Sequence, residues 1–308
     1  MTIKNVLIAG GGMMGKNIAF VFASNPEYAI TVYDLFPTDV DAGIRKNCAQ
    51  LVEKGVITEA ELTDRLSRIS FTTDIDDEKI KAADLVIEAV FEDMKVKRET
   101  FAKLEERCRP DTIFCTNTSV MSPSEISAEL KYRDRFVGTH FWNPGHLIPL
   151  VEVVKSDATS DEAAQTVMDV LKAVGKEPVL CKKDVPGFIA NRMQHALWRE
   201  AISIVENGIA DAETVDKAVK YSFGLRLPQL GPIENSDMVG TQLTYNIHSY
   251  ILEHIEDSHK PSPVLQQMLD EGKLGFKSGE GFMKWTPEAV EKCNADLNEY
   301  LIRMLYGK

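Results

Sequence analysis

The sequence predicts an α/β domain over residues 1–184, followed by an all-helical domain over residues 185–308. Three observations carry this. Short apolar runs alternate with longer amphipathic stretches through the first half, the pattern of a parallel sheet covered on both faces. The alternation stops at Asp184-Val185-Pro186-Gly187, a helix start with proline in its first turn. Beyond it the chain shows helical stripes and Gly/Pro breaks, with no strand series. A chain of 308 residues suits two domains.

Taken in order, Ile3–Ala9 reads as a buried strand, Met13–Ser24 as a helix and Ile30–Tyr33 as a second strand. Leu85–Ala89, Thr112–Thr116, Phe136–Thr139 and Val151–Val154 read as later strands, with helical patterns at Val40–Lys54 and Lys95–Arg107. After residue 187, Ile189, Met193, Ala196, Leu197, Ala201, Ile204 and Val205 fall on one helical stripe.

Composition excludes several classes. The net charge of −12 repels polyphosphate backbones and argues against nucleic-acid binding. An anionic ligand must then be held by backbone N–H groups or a local basic patch. The five cysteines, Cys48, Cys108, Cys115, Cys181 and Cys293, form no CxxC pair and read as reduced thiols. No Cys/His cluster has metal-ligand spacing, so no metal is expected. Residues 1–10 run straight into a strand, and no apolar run approaches membrane-spanning length; a cytoplasmic protein without a membrane partner is expected.

Gly10-Gly11-Gly12-Met13-Met14-Gly15 follows the first predicted strand and opens the first predicted helix. Gly10 suits the tight turn, Gly12 lets a pyrophosphate approach the backbone, and Gly15 lets helix and strand pack closely. The next strand ends at Asp34, where a carboxylate can accept both ribose hydroxyls and would repel a 2′-phosphate. Strand, turn, helix, strand and acid in that order make this a Rossmann-type dinucleotide unit; Asp34 favours NAD over NADP, and FAD enzymes use the same unit.

Gly138-Thr139-His140-Phe141-Trp142-Asn143-Pro144 follows a strand, where open α/β sheets place their ligands. His140 is the acid/base candidate, because hydride removal from a carbinol requires removal of the hydroxyl proton. A histidine at a strand end is also a common hydrogen-bonded structural residue. Glu152 sits in the apolar run Leu150–Val154 and needs a partner if buried; it would orient His140 or stand at a wet strand edge. Ser119 would bond the reacting oxygen or cap a helix. Asn191 lies in the first turn of the second-domain helix, off its apolar stripe, and faces either solvent or an interdomain cleft. His146, His195, His248, His254 and His259 carry no usable pattern.

Together these residues resemble the L-3-hydroxyacyl-CoA dehydrogenase family. The matching runs are Gly10–Gly15, Val86–Glu92, Asn117–Ser119, His140–Pro144, Pro149–Val153 and Asp184–Arg192. Gly231-Pro232 with Asp237, and Gly272–Phe282, extend the match through the second half. The resemblance implies that His140 is the base and Glu152 its oriented partner, with Ser119 and Asn191 on the substrate oxygen. It implies that Asn143 lines the pocket, that Glu92 and Lys97 touch NAD, and that Asn117 lies near the nicotinamide; Met13 and Met14 belong to the cofactor loop. It further implies a homodimer through the helical domain, and oxidation of a 3-hydroxybutyryl-CoA-like substrate to the 3-ketoacyl-CoA.

Some positions differ. Val56-Ile57 follow Gly55 where the family commonly has a basic residue near the CoA tail, and Thr241-Gln242 replace the common Leu-Asp. Here the chain resembles divergent members that oxidise small β-hydroxy acids or other alcohols without CoA. Gly145-His146 and Arg226 would then read a carboxylate. Lys46, Lys54, Arg65 and Arg68 offer a basic patch for an ADP moiety, or a solvated helix face. A non-catalytic NAD-binding protein is the remaining alternative, and the intact set of four catalytic positions argues against it.

Overall fold

The computed structural model describes residues 2–307. The chain divides into two compact units. One comprises the residues up to Arg192 together with those from Asp296 onward; the other is Met193–Ala295.

The first unit is built on one eight-stranded sheet. Its elements are β1 (Asn5–Ala9), α1 (Met13–Phe22), β2 (Ala29–Tyr33), α2 (Val40–Glu53), α3 (Glu59–Ser67), β3 (Ile69–Thr72), α4 (Glu78–Lys81), β4 (Leu85–Glu88), α5 (Met94–Glu105), β5 (Ile113–Thr116), α6 (Pro123–Ile126), β6 (Phe136–Phe141), β7 (Leu150–Lys155), α7 (Asp161–Ala173) and β8 (Glu177–Cys181). The strand order is β3-β2-β1-β4-β5-β6-β7-β8. Strands β1 to β6 run parallel, and β7 returns antiparallel beside β6 with β8 parallel to it. The sheet is therefore mixed, where strand–helix alternation alone predicts a parallel one. The reversal at β7 follows from the short β6–β7 connection, since a parallel return needs a crossover of a dozen residues or more.

Alternating side chains split the core between the two faces. Val6, Ile8, Ile30, Val32, Ile87, Cys115 and Val151 pack with α1, α2, α3 and α7. Leu7, Ala9, Val86, Phe114 and Phe136 pack with α4, α5 and α6, where Phe101 stands edge-on to Phe114 and Phe136.

Helix starts in this unit are mostly closed by side chains. Asp39 caps α2, Thr58 and Glu61 form a capping box on α3, Asp93 caps α5 and Ser160 caps α7. Helix α1 begins at Gly12 with no side-chain cap, so its leading N–H groups stay available.

The second unit is helical, as the sequence pattern predicts. It holds most of α8 (Ala190–Glu206), then α9 (Ala212–Lys220), α10 (Phe223–Arg226), α11 (Pro232–Val239), α12 (Thr241–Ile251), α13 (Pro263–Asp270) and the first part of α14 (Pro287–Tyr306). Among its described residues β-pairing is limited to isolated bridges around Glu280. No described helix is long and apolar enough to cross a membrane.

Candidate active site

A candidate cofactor cradle is assembled at the carboxyl ends of β1, β2 and β4. Gly10 has φ +114°, and a Cβ there would stand 2.5 Å from the Ala89 carbonyl oxygen; a Cβ at Gly15 would land on the Gly10 carbonyl oxygen. No larger residue fits either position. Nothing lies within 4 Å of where a Cβ at Gly12 would be, so this face of the loop is open for a ligand to approach. Gly10, Gly12, Met13, Met14, Asp34 and Phe36 line a cavity of about 410 Å³. Asp34 closes one side: Oδ2 accepts from the Gly11 N–H at 2.7 Å and Oδ1 from the Phe36 N–H at 3.1 Å. An uncapped helix start, an open glycine and an acid beside the turn fit a dinucleotide.

His140 lies on β6 and Glu152 on β7, and the antiparallel register sets them directly opposite each other. Both are buried, His140 at 4 % exposure and Glu152 at 0 %. His140 Nδ1 is 2.8 Å from Glu152 Oε2. An ionised carboxylate only accepts, so Nδ1 carries the proton and Nε2 is left able to accept one. Trp142 and Phe188 flank the imidazole, with ring centroids 5.3 and 5.8 Å away.

Glu152 does more than hold the imidazole. Trp142 Nε1 donates to Oε2 at 3.2 Å, and the backbone N–H groups of Ile189 and Ala190 donate to Oε1, both at 2.9 Å. Those amides belong to the start of α8, which the turn through Gly187 and Phe188 aims at the carboxylate; Phe188 holds φ +49°. Burial pushes the Glu152 carboxyl up, but the hydrogen bonds from His140, Ala190 and Ile189 outweigh it and hold it below the ordinary carboxylate range.

Asn191, in the first turn of α8, is 7 % exposed, and its Nδ2 donates to the Ser119 carbonyl at 3.1 Å. Ser119 is exposed just past β5, and its N–H donates to Glu92 Oε1 at 3.0 Å. Glu92 also accepts from the Thr118 hydroxyl. Burial raises the Glu92 carboxyl, and the Thr118 bond with the charge of Lys97 brings it below its usual range. Lys97 is 1 % exposed; its Nζ stands 2.7 Å from Glu88 Oε1 and 3.1 Å from Glu92 Oε2. It lies beneath Glu92 and does not reach the surface itself. Asn117 uses Oδ1 to accept from the Phe141 N–H at 2.9 Å, tying the end of β5 to the end of β6. Asn143 is exposed in the loop after β6. Two continuous sets therefore form: His140 with Glu152, and Asn191 through Ser119 and Glu92 to Lys97.

Sequence reasoning missed Glu88, Trp142 and the α8 amides as parts of these sets. Glu88 was legible as an acid ending an apolar strand, since burying it demands a partner. His146 does not read a carboxylate by charge: burial, then the Lys176 charge, hold its imidazole down at about 4, so it stays neutral.

The sequence model described as "3-hydroxyacyl-CoA dehydrogenase, NAD binding domain" matches residues 5–185, and that of the "3-hydroxyacyl-CoA dehydrogenase, C-terminal domain" matches residues 187–285. The chain belongs to the 3-hydroxyacyl-CoA dehydrogenase family. It is 37 % identical over 286 residues to a probable 3-hydroxybutyryl-CoA dehydrogenase of Bacillus subtilis, covering 92 % of this chain and 97 % of that one. It is 31 % identical over 309 residues to the 5-formyl-3-hydroxy-2-methylpyridine 4-carboxylate 5-dehydrogenase of Mesorhizobium japonicum, covering 99 % of each. A crystal structure of an enzyme of that name, described as an NAD+-dependent dismutase, superposes with a TM-score of 0.90 at 30 % identity, covering 100 % of both chains. This family member is an NAD-dependent oxidoreductase acting on a CH–OH group.

The cradle yields a direct check on cofactor selection. Asp34→Ala is expected to weaken NADH binding roughly 10- to 100-fold, the worth of charge-assisted bonds to the ribose. It should also narrow the preference over NADPH. Fluorescence titration of both nucleotides measures this, and an unchanged NADH affinity would rule out the assigned role.

Proposed function

We propose that this enzyme oxidises a small, polar alcohol or aldehyde hydrate that carries no CoA. The observation that carries the reading is the end-to-end match to the pyridine-carboxylate dehydrogenase. That relative is matched over 99 % of this chain, whereas the C-terminal-domain model stops at residue 285, before α14 begins. The second reading, oxidation of an L-3-hydroxyacyl-CoA, is favoured by the higher identity to the Bacillus subtilis relative.

The chemistry at the protein is the same in both. Gly10, Gly12, Gly15 and Asp34 would hold NAD, with Met13, Met14 and Glu92 along the site and Asn117 near the nicotinamide; Lys97 would act through Glu92. NAD, when bound, supplies the hydride acceptor. His140 Nε2 takes the hydroxyl proton, and Glu152 stabilises the imidazolium that results. Asn191 spends one Nδ2 proton on the Ser119 carbonyl and keeps the other for the substrate oxygen, beside the Ser119 hydroxyl. Asn143 lines the pocket. Preorganised donors and a positioned base each contribute on the order of a few kcal/mol. The helical unit exposes Ile209, Leu225, Ile233 and Met238, apolar surface consistent with a homodimer built on that unit.

The deciding experiment is an NADH-forming screen. Its set is 3-hydroxybutyryl-CoA, the matching N-acetylcysteamine thioester, free 3-hydroxybutyrate, and hydroxymethyl or formyl aromatic acids. Turnover of the free acids, with the two thioesters equal, supports the proposal. A CoA thioester used at least about 100-fold better than its short counterpart, a gain of roughly 3 kcal/mol from the tail, would overturn it.

A further inference from the structure

The connection between β8 and α8, residues 182–189, is held by two carboxylates. Glu152 takes the Ile189 and Ala190 amides at its α8 end. Asp184 fixes the other end: Oδ2 accepts from the Ser122 hydroxyl, and from the Ser124 N–H at 2.8 Å. Ser122 is the N-cap of α6, and its oxygen in turn accepts from the Glu125 N–H at 3.2 Å. The Ser124 hydroxyl accepts from the Asp157 N–H, just past β7, at 2.9 Å. The loop that Asp184 grips is the one that carries Ser119. That loop is braced from within, since Thr118 accepts from the Met121 N–H at 3.0 Å and donates to Glu92. Phe188, buried with Val154 and Cys181, anchors the middle of the connection.

Ser119 and Asn191 lie far apart in the chain, and the bond between them runs from one amide proton to a backbone carbonyl. A single neutral hydrogen bond is a weak tether. Donors that share one substrate oxygen must be held to about 0.5 Å, and a displacement of about 1 Å can slow a reaction on the order of 100-fold. The Asp184 carboxylate makes charge-assisted bonds, which are shorter and stronger, to a loop already fixed at Glu92 and Asp157. We propose that Asp184 is a positioning residue for the reaction: by docking the β8–α8 connection on the β5–α6 loop it sets the spacing of Asn191 and Ser119. This rests on the reading that those two residues hold the substrate oxygen. One oxygen of Asp184 takes both bonds, so an amide oxygen can stand in for it.

The test uses the full-length enzyme saturated with NAD, and whichever of 3-hydroxybutyryl-CoA, free 3-hydroxybutyrate or a formyl aromatic acid turns over fastest in the screen above. Asp184→Ala should lower kcat about 10- to 100-fold, with NADH affinity by fluorescence titration unchanged. Asp184→Asn keeps the acceptor oxygen and should restore kcat to within about threefold of wild type. In an Asn191→Ala background the loss from Asp184→Ala should shrink to about threefold or less, because the side chain being positioned is gone. An aspartate that only stabilised the fold would lower the urea midpoint in both backgrounds and leave kcat at saturation alone. Should Asp184→Ala not fold, Ser122→Ala removes one of the two bonds and should lower kcat by about threefold, a loss that Asn191→Ala again abolishes. Losses that multiply in full in the double variant, an Asp184→Asn as slow as Asp184→Ala, or an Asp184→Ala with wild-type kcat would each overturn the proposal. An Asn191→Ala with wild-type kcat would overturn the reading beneath it as well.

Discussion

His140→Gln is expected to lower kcat by on the order of 10²- to 10⁴-fold, the usual worth of a positioned acid/base group, with the fold and NADH affinity retained. Gln can still donate to Glu152 from a similar place, so the buried carboxylate keeps a partner. What it cannot do is accept a proton at the position of Nε2. The loss should therefore appear in kcat more than in KM. Steady-state NADH formation on the substrate identified by the screen, beside a fluorescence titration of NADH, separates the two. A variant with kcat within tenfold of wild type and unchanged cofactor binding would remove His140 from the proton transfer.

Glu152→Ala should damage stability as well as rate. The side chain collects four donors: His140 Nδ1, Trp142 Nε1 and the Ile189 and Ala190 amides. Removing the acceptor strands buried N–H groups, at a cost of about 3–5 kcal/mol. The pH dependence has a definite sign. The folded carboxyl lies below its ordinary value, so its contribution is fully present above the unfolded carboxylate value of about 4.3 and fades as pH falls toward the depressed folded value. Urea midpoints of the NAD-binding unit, followed from pH 7 downward, should fall more steeply below about pH 5 in wild type than in Glu152→Gln. Parallel curves would mean that Glu152 is not ionised in the native state.

Much of this was legible from residue order. The glycine run and Asp34 were readable because a tight strand-to-helix turn tolerates few residue types, and the structure shows the constraints at Gly10 and Gly15 as contacts. Strand β3 escaped because Ile69–Thr72 is four half-buried residues with no apolar run. Strand β8 escaped because Glu177–Cys181 contains Pro178 and is mostly exposed, as an edge strand is. The His140–Glu152 pair was readable as two residues of suitable chemistry. Their direct opposition was not, since it depends on β7 running against β6, and alternation patterns carry no strand direction. The pairing of Lys54 with Glu299 joins residues far apart in the chain and left no local trace.

The bare start of α1 has a consequence for how this chain can change. A grip made of peptide N–H groups has no side chain to lose. Its strength resides in the path of the backbone, which Gly10 and Gly15 hold by leaving no room for anything else. A net charge of −12 is thus compatible with holding an anionic cofactor. Selection for new substrates can act on the helices and loops around His140 while the cradle stays as it is.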